Sequence, residues 1–355
     1  MTSGAGPDDE SDRRNVSDAT GVVVLGACAA WSLISAAVHG GRPEGVLLAV
    51  LAVAAGYAVG RIGGALLPVA APCAGALAGV ALTLTVPQLA PGPQLVAPLG
   101  HAGATAAVLT LSAGAACCAA WSARSAVLRL SLRVLAAGIA VTAAVLGSTS
   151  GFVTCTAVLL CSLAAAHLRR GVAIAGLAAA ALAVTGLTWA VAAKAVPGGL
   201  GGRLEGRLTR QRVELWHDAL RLAGHDPALG VGPGRFGEFG GTTGGVVLAD
   251  AKPHSAPLQQ AAEQGVVGLL LLAAAFCWML FALWRTRRPT PVALTAAATL
   301  TAVAAIAAVG NALSFTAVSV GAGLLAGLAT ARPLTAESSR SSGSPSRARD
   351  GHPVP

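Results

Sequence analysis

Charge is scarce in this chain. Asp, Glu, Lys and Arg make up 11% of it, against about a quarter in an ordinary soluble domain. Aromatic residues are also few, at 4%, with a single tyrosine, Tyr57. Cysteine is missing from the places where it would do chemistry. All seven (Cys28, Cys73, Cys117, Cys118, Cys155, Cys161 and Cys277) lie inside apolar runs, with no C-x-x-C and no His/Cys cluster at zinc spacing. These absences exclude a soluble enzyme core, a disulfide-stapled scaffold and a zinc module.

What fills the space is hydrophobic. Apolar residues make up 54% of the chain and gather in continuous, non-alternating runs, the pattern of membrane helices and not of a barrel. Ten runs can be counted: 21–39, 45–60, 62–86, 102–121, 134–150, 152–167, 171–193, 265–284, 291–309 and 312–330. The expected fold is an all-α polytopic membrane protein of about ten transmembrane helices. Residues 1–20 and 331–355 are expected to be disordered cytoplasmic tails. Residues 21–193 form helices one to seven, 194–264 a large outer loop, and 265–330 the last three helices. The runs at 45–60 and 152–167 are short enough to be re-entrant.

The net charge of +9 does not call for nucleic acid, because the arginines sit at the ends of apolar runs. With the N-terminus inside, the short inner connections carry Arg61, Arg124/Arg129/Arg133, Arg169/Arg170 and Arg285/Arg287/Arg288. The short outer connections carry only Arg42. The positive-inside rule then places both termini in the cytoplasm, in a plasma or inner membrane. Trp121, Trp189 and Trp284 fall at run ends as interfacial anchors. Small residues at four-residue spacing, as in 171–181, predict close helix packing. Span interiors hold no ionisable group other than cysteine and Tyr57, which argues against an ion-coupled transporter.

Chemistry is therefore expected in the polar segment 203–268. At 100° per residue, Leu208, Leu215, Trp216, Ala219, Leu220, Leu222 and Ala223 share one arc of a helix. Arg207, Arg210, Glu214, Asp218 and Arg221 share the opposite arc. This is an amphipathic helix that caps the bundle or lies on the membrane surface. Arg212 projects from the apolar arc. Its guanidinium needs an anion there, either a structural acid such as Glu205 or a phosphate. The stretch from Asp226 to Phe236 has glycine at alternate positions. It reads as a plain bend, or as a loop whose N–H groups could approach phosphate oxygens. Residues 240–245 look like a flexible lid or linker. His254, between Pro253 and Ser255, precedes a helix that Pro257 can open and that Ser255 or His254 can cap. Gln259 and Glu263, one turn apart, can bind sugar hydroxyls or pair with neighbours. Among the other histidines, His217 lies on the polar, solvated face and His225 in a turn.

Taken in order, these residues resemble a known family. His254-Ser255, nine residues and Gly265-Val266-Val267-Gly268 are similar to the His-[Asn/Ser/Gln]-x9-Gly-x-x-Gly signature of bacterial O-antigen ligases and polymerases. The run Pro257–Gly265 resembles that family's LQ…E.G..G stretch. Arg212-Val213-Glu214-Leu215-Trp216 resembles its R.x.LW helix, and Pro227–Phe236 its P..G.G.G.F bend. The resemblance covers the outer segment and implies a GT-C-like fold and an inverting, metal-independent glycosyltransferase without a cofactor. Its donor would be an undecaprenyl-pyrophosphate-linked glycan, and its acceptor a hydroxyl of a glycan or glycolipid on the outer face, with membrane lipids around it. Carried over by position, His254 is the catalytic residue and Arg212 a pyrophosphate-binding arginine. Arg203, Arg207 and Arg210, with Lys194, are candidates for further phosphate contacts, and Trp216, Gln259, Glu263 and Gly232 for substrate contacts. The chain has fewer spans than the family commonly has. It has no Asp-x-Asp, and its first outer turn (40–44) lacks paired acids. The alternative is a transporter or flippase of a lipid-linked glycan, and a third reading is a noncatalytic lipid-binding subunit.

Overall fold

Pro68 decides where the second helix stops. It cannot donate an N–H and it disfavours helical geometry in the residue before it. Leu67 accordingly leaves the helix at φ −130°, ψ 72°. The charged boundary expected at Arg61 is thus not a boundary. The helix runs through it to Leu66, and Arg61 turns back to bond Tyr57 one turn earlier and Asp18.

The computed structural model describes residues 7–85, 98–195, 210–239 and 253–332. Every regular element among them is helical: α1 (Pro7–His39), α2 (Glu44–Leu66), α3 (Ala70–Thr85), α4 (Pro98–Ser122), α5 (Ala126–Val145), α6 (Thr149–Ala164), α7 (Arg170–Ala192), α8 (Arg210–His225), the single turn α9 (Phe236–Phe239), α10 (Ala256–Arg285), α11 (Thr290–Val309), a 3-10 turn (Ala312–Ser314) and α12 (Thr316–Thr330). Seven of these are long and apolar enough to cross a membrane: α1 from Val16, α2, α4 from Gly103, α5, α7, α10 and α11. Three shorter apolar helices, α3, α6 and α12, occupy the remaining expected runs. The run 45–60 is part of the full-length α2. The short run 152–167 lies on α6, which runs beside α4 without turning back. Thr154 bonds Thr110 at 2.7 Å, and Ser162 accepts from the Trp121 indole at 2.9 Å.

The bundle is built around α4, whose apolar span is almost entirely buried, and α11. The outer helices turn Val22, Leu51, Leu130, Val172 and Leu182 away from the protein. A wide exterior of that kind suits hydrocarbon and would be an aggregation surface in water. The described residues therefore form an all-helical bundle with the exterior of a membrane protein.

Close packing is strongest between α2 and α12, not along 171–181. A Cβ at Gly60 would lie 2.2 Å from the Leu324 carbonyl oxygen, and one at Gly327 would lie 2.2 Å from that of Tyr57. Backbones this near leave no room for a side chain on either helix, the geometry that drives helix association in lipid. Gly176, by contrast, faces open space.

One end of the bundle is rich in arginine. Arg288 is buried there and donates to the carbonyls of Ala331 (2.7 Å), Gly64 (2.8 Å) and Leu328 (3.4 Å). A cation at the C-terminal turns of α2 and α12 satisfies orphan carbonyls and opposes their dipoles. Arg170 bonds the carbonyls of Thr286 and Arg288 and fixes the α10–α11 turn. Residues 7–20, expected to be disordered, belong to α1. Ser17 accepts from the Trp278 indole at 2.9 Å, so the helix is anchored at this end as well. The expected C-terminal tail beyond 332 and the segment 240–252 lie outside the described residues.

Candidate functional site

At the opposite end, three separate pieces of sequence form one unit. Its centre is Gly265, at φ 67° and ψ −166°, which breaks α10 into two helical segments. That conformation is essentially restricted to glycine. A Cβ there would also lie 2.3 Å from the Ala228 carbonyl oxygen.

A break in a helix orphans the carbonyls before it and the N–H after it. Each is satisfied here. Val231 N donates to Ala262 O and Gly232 N to Glu263 O, both at 2.9 Å. The Trp31 indole donates to Gln264 O at 3.1 Å, and Val266 N to Pro227 O at 2.8 Å. The glycine-rich bend is the partner of the kink. Its amides are engaged within the protein, Gly234 N included, which donates to Glu263 Oε2 at 3.0 Å. Glu263 Oε1 accepts from Gln259 Nε2 at 3.1 Å. Gly232, Gln259 and Glu263, candidate substrate contacts on spacing, hold the bend against α10.

The first helix clamps the bend from the other side. Ser35 donates to Leu229 O at 3.0 Å, His39 Nε2 lies 3.7 Å from Asp226 Oδ2, and Arg235 bonds the His39 carbonyl. The sequence reading gave Trp31, Ser35 and His39 no role. The available signal was their spacing of four, which puts polar groups on one face of an apolar helix.

Helix α8 caps this end, as its amphipathic pattern predicts. Val213, Trp216 and Ala219 are buried against Val191 and Ala192 at the end of α7 and against Leu258 and Ala262 of α10. Glu214 and Arg221 face out. His217 is on the outer face but is not simply solvated, since its Nδ1 lies 3.3 Å from the Ala192 carbonyl oxygen. His225 is the last residue of α8, not part of a turn.

Trp216, 1% exposed, donates its indole N–H to Pro253 O at 2.7 Å. Pro253 precedes His254, so the amphipathic helix is tied to the backbone of the candidate catalytic residue. His254 is half-buried and holds φ 47°. A non-glycine residue in that region is strained, and such residues cluster at functional sites. Ser255 occupies the N-cap position of α10, but its hydroxyl caps nothing. It is 1% exposed and has no hydrogen-bond partner among the described residues.

Arg212 lies one turn before Trp216 on the same inward side of α8. It is half-buried, and burial pushes its guanidinium below the usual arginine range. Among the described residues no carboxylate pairs with it. Glu205, the acid expected as a structural partner, lies outside them, as do Arg203 and Arg207. The backbone of Arg210 opens α8. Lys194, exposed at φ 55°, follows the end of α7 at this end of the bundle.

The assembly thus brings Arg212, Trp216, His254 and Ser255 to one polar end of an apolar bundle, with the kink and bend as their foundation. No protein-family model, no curated protein and no solved structure matches the chain.

Proposed function

We propose that this protein is a membrane glycosyltransferase of the O-antigen ligase type. It moves a glycan from an undecaprenyl-pyrophosphate carrier to a hydroxyl acceptor at the outer face of the membrane. The observation that carries this reading is the bond from Trp216, one turn after Arg212, to the carbonyl of Pro253, the residue before His254. A desolvated guanidinium sits one helical turn from Trp216, whose indole holds the residue before a strained histidine.

The chemistry is a single displacement. The acceptor oxygen attacks the anomeric carbon, and the bond from that carbon to the pyrophosphate oxygen breaks. The acceptor proton passes to the His254 imidazole, a group suited to proton transfer near neutral pH. Negative charge grows on the departing pyrophosphate, and Arg212 offsets it with a planar, bidentate donor. One displacement inverts the anomeric centre. Arg203, Arg207, Arg210 and Lys194 remain the candidates for a second cationic contact.

The orientation follows from the arginines. The end that bears Arg61, Arg170 and Arg288 is cytoplasmic by the positive-inside rule, and the α8 end is outside. Ten helices traverse in alternation, with both termini inside. A flippase would need a polar path through the bundle, whereas α4 and α11 fill its centre mainly with alanine, leucine and valine, and the buried hydroxyls of Thr110, Ser112, Thr295 and Thr299 bond carbonyls of their own helices.

Mass spectrometry of lipid-linked and surface glycans in a deletion strain tests the reading. The expected result is accumulation of the carrier-linked glycan together with loss of the transferred product. Unchanged levels of both would refute it.

A further inference from the structure

The start of α10 holds polar groups that the displacement chemistry leaves unused. Ser255 is the N-cap residue, at φ −149° and ψ 114°. A serine in that place ordinarily accepts a bond from an N–H of the first turn. Ser255 does not. Its hydroxyl is 1% exposed, makes no cap, and has no hydrogen-bond partner among the described residues. A polar atom buried in this way destabilises the fold and needs a reason to be kept.

The first turn shows the same pattern. Pro257 has no N–H, and those of Ala256 and Leu258 meet no acceptor among the described residues. The first to be engaged is that of Gln259, which donates to Ser255 O at 2.9 Å. Residues 256–264 run for more than two turns before the kink at Gly265, so the positive end of a helix dipole falls here. His254, Ala256 and Pro257 are each partly exposed, and the turn therefore reaches the surface around the buried hydroxyl. Arg212 borders the same patch. Its neighbour Val213 shares one buried cluster with Trp216 and Leu258, and the Trp216 indole holds the Pro253 carbonyl two residues before Ser255.

We propose that the start of α10 is the second phosphate contact of this site. Ser255 Oγ and the N–H groups of Ala256 and Leu258 donate to one phosphate of a prenyl-linked pyrophosphate, and Arg212 donates to the other. Helix starts bind phosphate through their orphan N–H groups and their dipole. A cap hydroxyl would normally compete for those groups, and here it points its own donor capacity at the ligand with them. The contact offsets charge on the leaving group from α10 while Arg212 does so from α8. The identity of the anion rests on the transferase reading. The capture of a diphosphate by α10 does not.

The test uses the full-length protein in neutral detergent, with farnesyl pyrophosphate as the probe and farnesol as its uncharged counterpart. Binding is followed by thermal unfolding and native mass spectrometry. Farnesyl pyrophosphate is expected to bind and raise the unfolding temperature, and farnesol to do neither. Ser255→Ala should bind farnesyl pyrophosphate about tenfold more weakly, the loss of one hydrogen bond to a charged group. Without ligand its unfolding temperature should equal or exceed that of wild type, because a buried hydroxyl without a partner has been removed. Ala256→Pro removes one N–H where proline suits a helix start and where the extended Ser255 can precede it. It should weaken binding severalfold. Wild-type affinity in either variant, a lower unfolding temperature for ligand-free Ser255→Ala, or equal stabilisation by farnesol would overturn the α10 assignment. If Arg212→Gln still loses the pyrophosphate in that case, the transferase reading survives without this contact. Pyrophosphate binding that depends on Ser255, in a protein whose deletion leaves the cell's glycans unchanged, would keep the contact and remove the transferase reading.

Discussion

The Trp216 indole N–H and the Pro253 carbonyl, 2.7 Å apart, join the amphipathic cap to the backbone beside His254. Both residues are buried, and the indole is the largest fully buried side chain among the described residues. Trp216→Phe keeps most of the ring and removes the donor. An unsatisfied buried carbonyl costs about 1–3 kcal/mol. The expected outcome is a lower unfolding temperature together with slower glycan transfer. A variant that loses stability but transfers at the wild-type rate would show that the tie does not position His254.

Arg212→Gln separates a ligand-binding arginine from a structural one. Burial lowers the affinity of the guanidinium for its proton, and an arginine keeps its charge in a protein at neutral pH. A cation buried without a described acid disfavours the folded state at every pH below its folded-state pKa, so removing it should leave stability unchanged or slightly higher. Transfer should fall at least about a hundredfold, in line with the loss of a preorganised donor to a developing charge. A clear drop in unfolding temperature would instead reveal a structural ion pair.

Gly265→Ala strikes the foundation of the site. The substitution places a Cβ in a conformation that costs of order 1–3 kcal/mol and in collision with the Ala228 carbonyl. Straightening the kink would strand the bend amides of Val231 and Gly232. The expected outcome is loss of more than about 2 kcal/mol, measured by thermal unfolding in detergent. Gly268→Ala should be costly as well, since its Cβ would lie 2.3 Å from the Cβ of the buried Gln264.

Much of this architecture was legible in the sequence because lipid imposes a strong pattern. Continuous apolar runs place the helices, and one angular plot separates the buried Trp216 from the exposed Glu214. Boundaries were less legible where a local effect overrode composition: Pro68, not Arg61, ends α2. The packing stripe at 171–181 was misplaced because spacing of small residues shows which faces can meet, not which do. The main difference at the site concerns Gly232, Gln259 and Glu263. Their types suit phosphate or sugar, but they bond to one another's segments across a kink. That kink exists only because residues 227–232 and Trp31 arrive in space to satisfy it, and a linear reading cannot see such long-range pairing.

Close contact between α2 and α12 gives a prediction away from the site. Gly60→Val would force a side chain to within 2.2 Å of a carbonyl oxygen on α12. Folded protein, followed by size exclusion in detergent, should be nearly lost. Gly176→Val, whose Cβ meets nothing within 4 Å, should be tolerated. Equal yields from the two variants would contradict the α2–α12 packing.

The most direct measurement is the ratio of carrier-linked to transferred glycan in a deletion strain that expresses His254→Ala at the wild-type protein level. A histidine that accepts the acceptor proton predicts accumulation of the carrier-linked glycan and little or no transferred product, with the variant folded and in the membrane. A wild-type ratio from that strain would contradict the account.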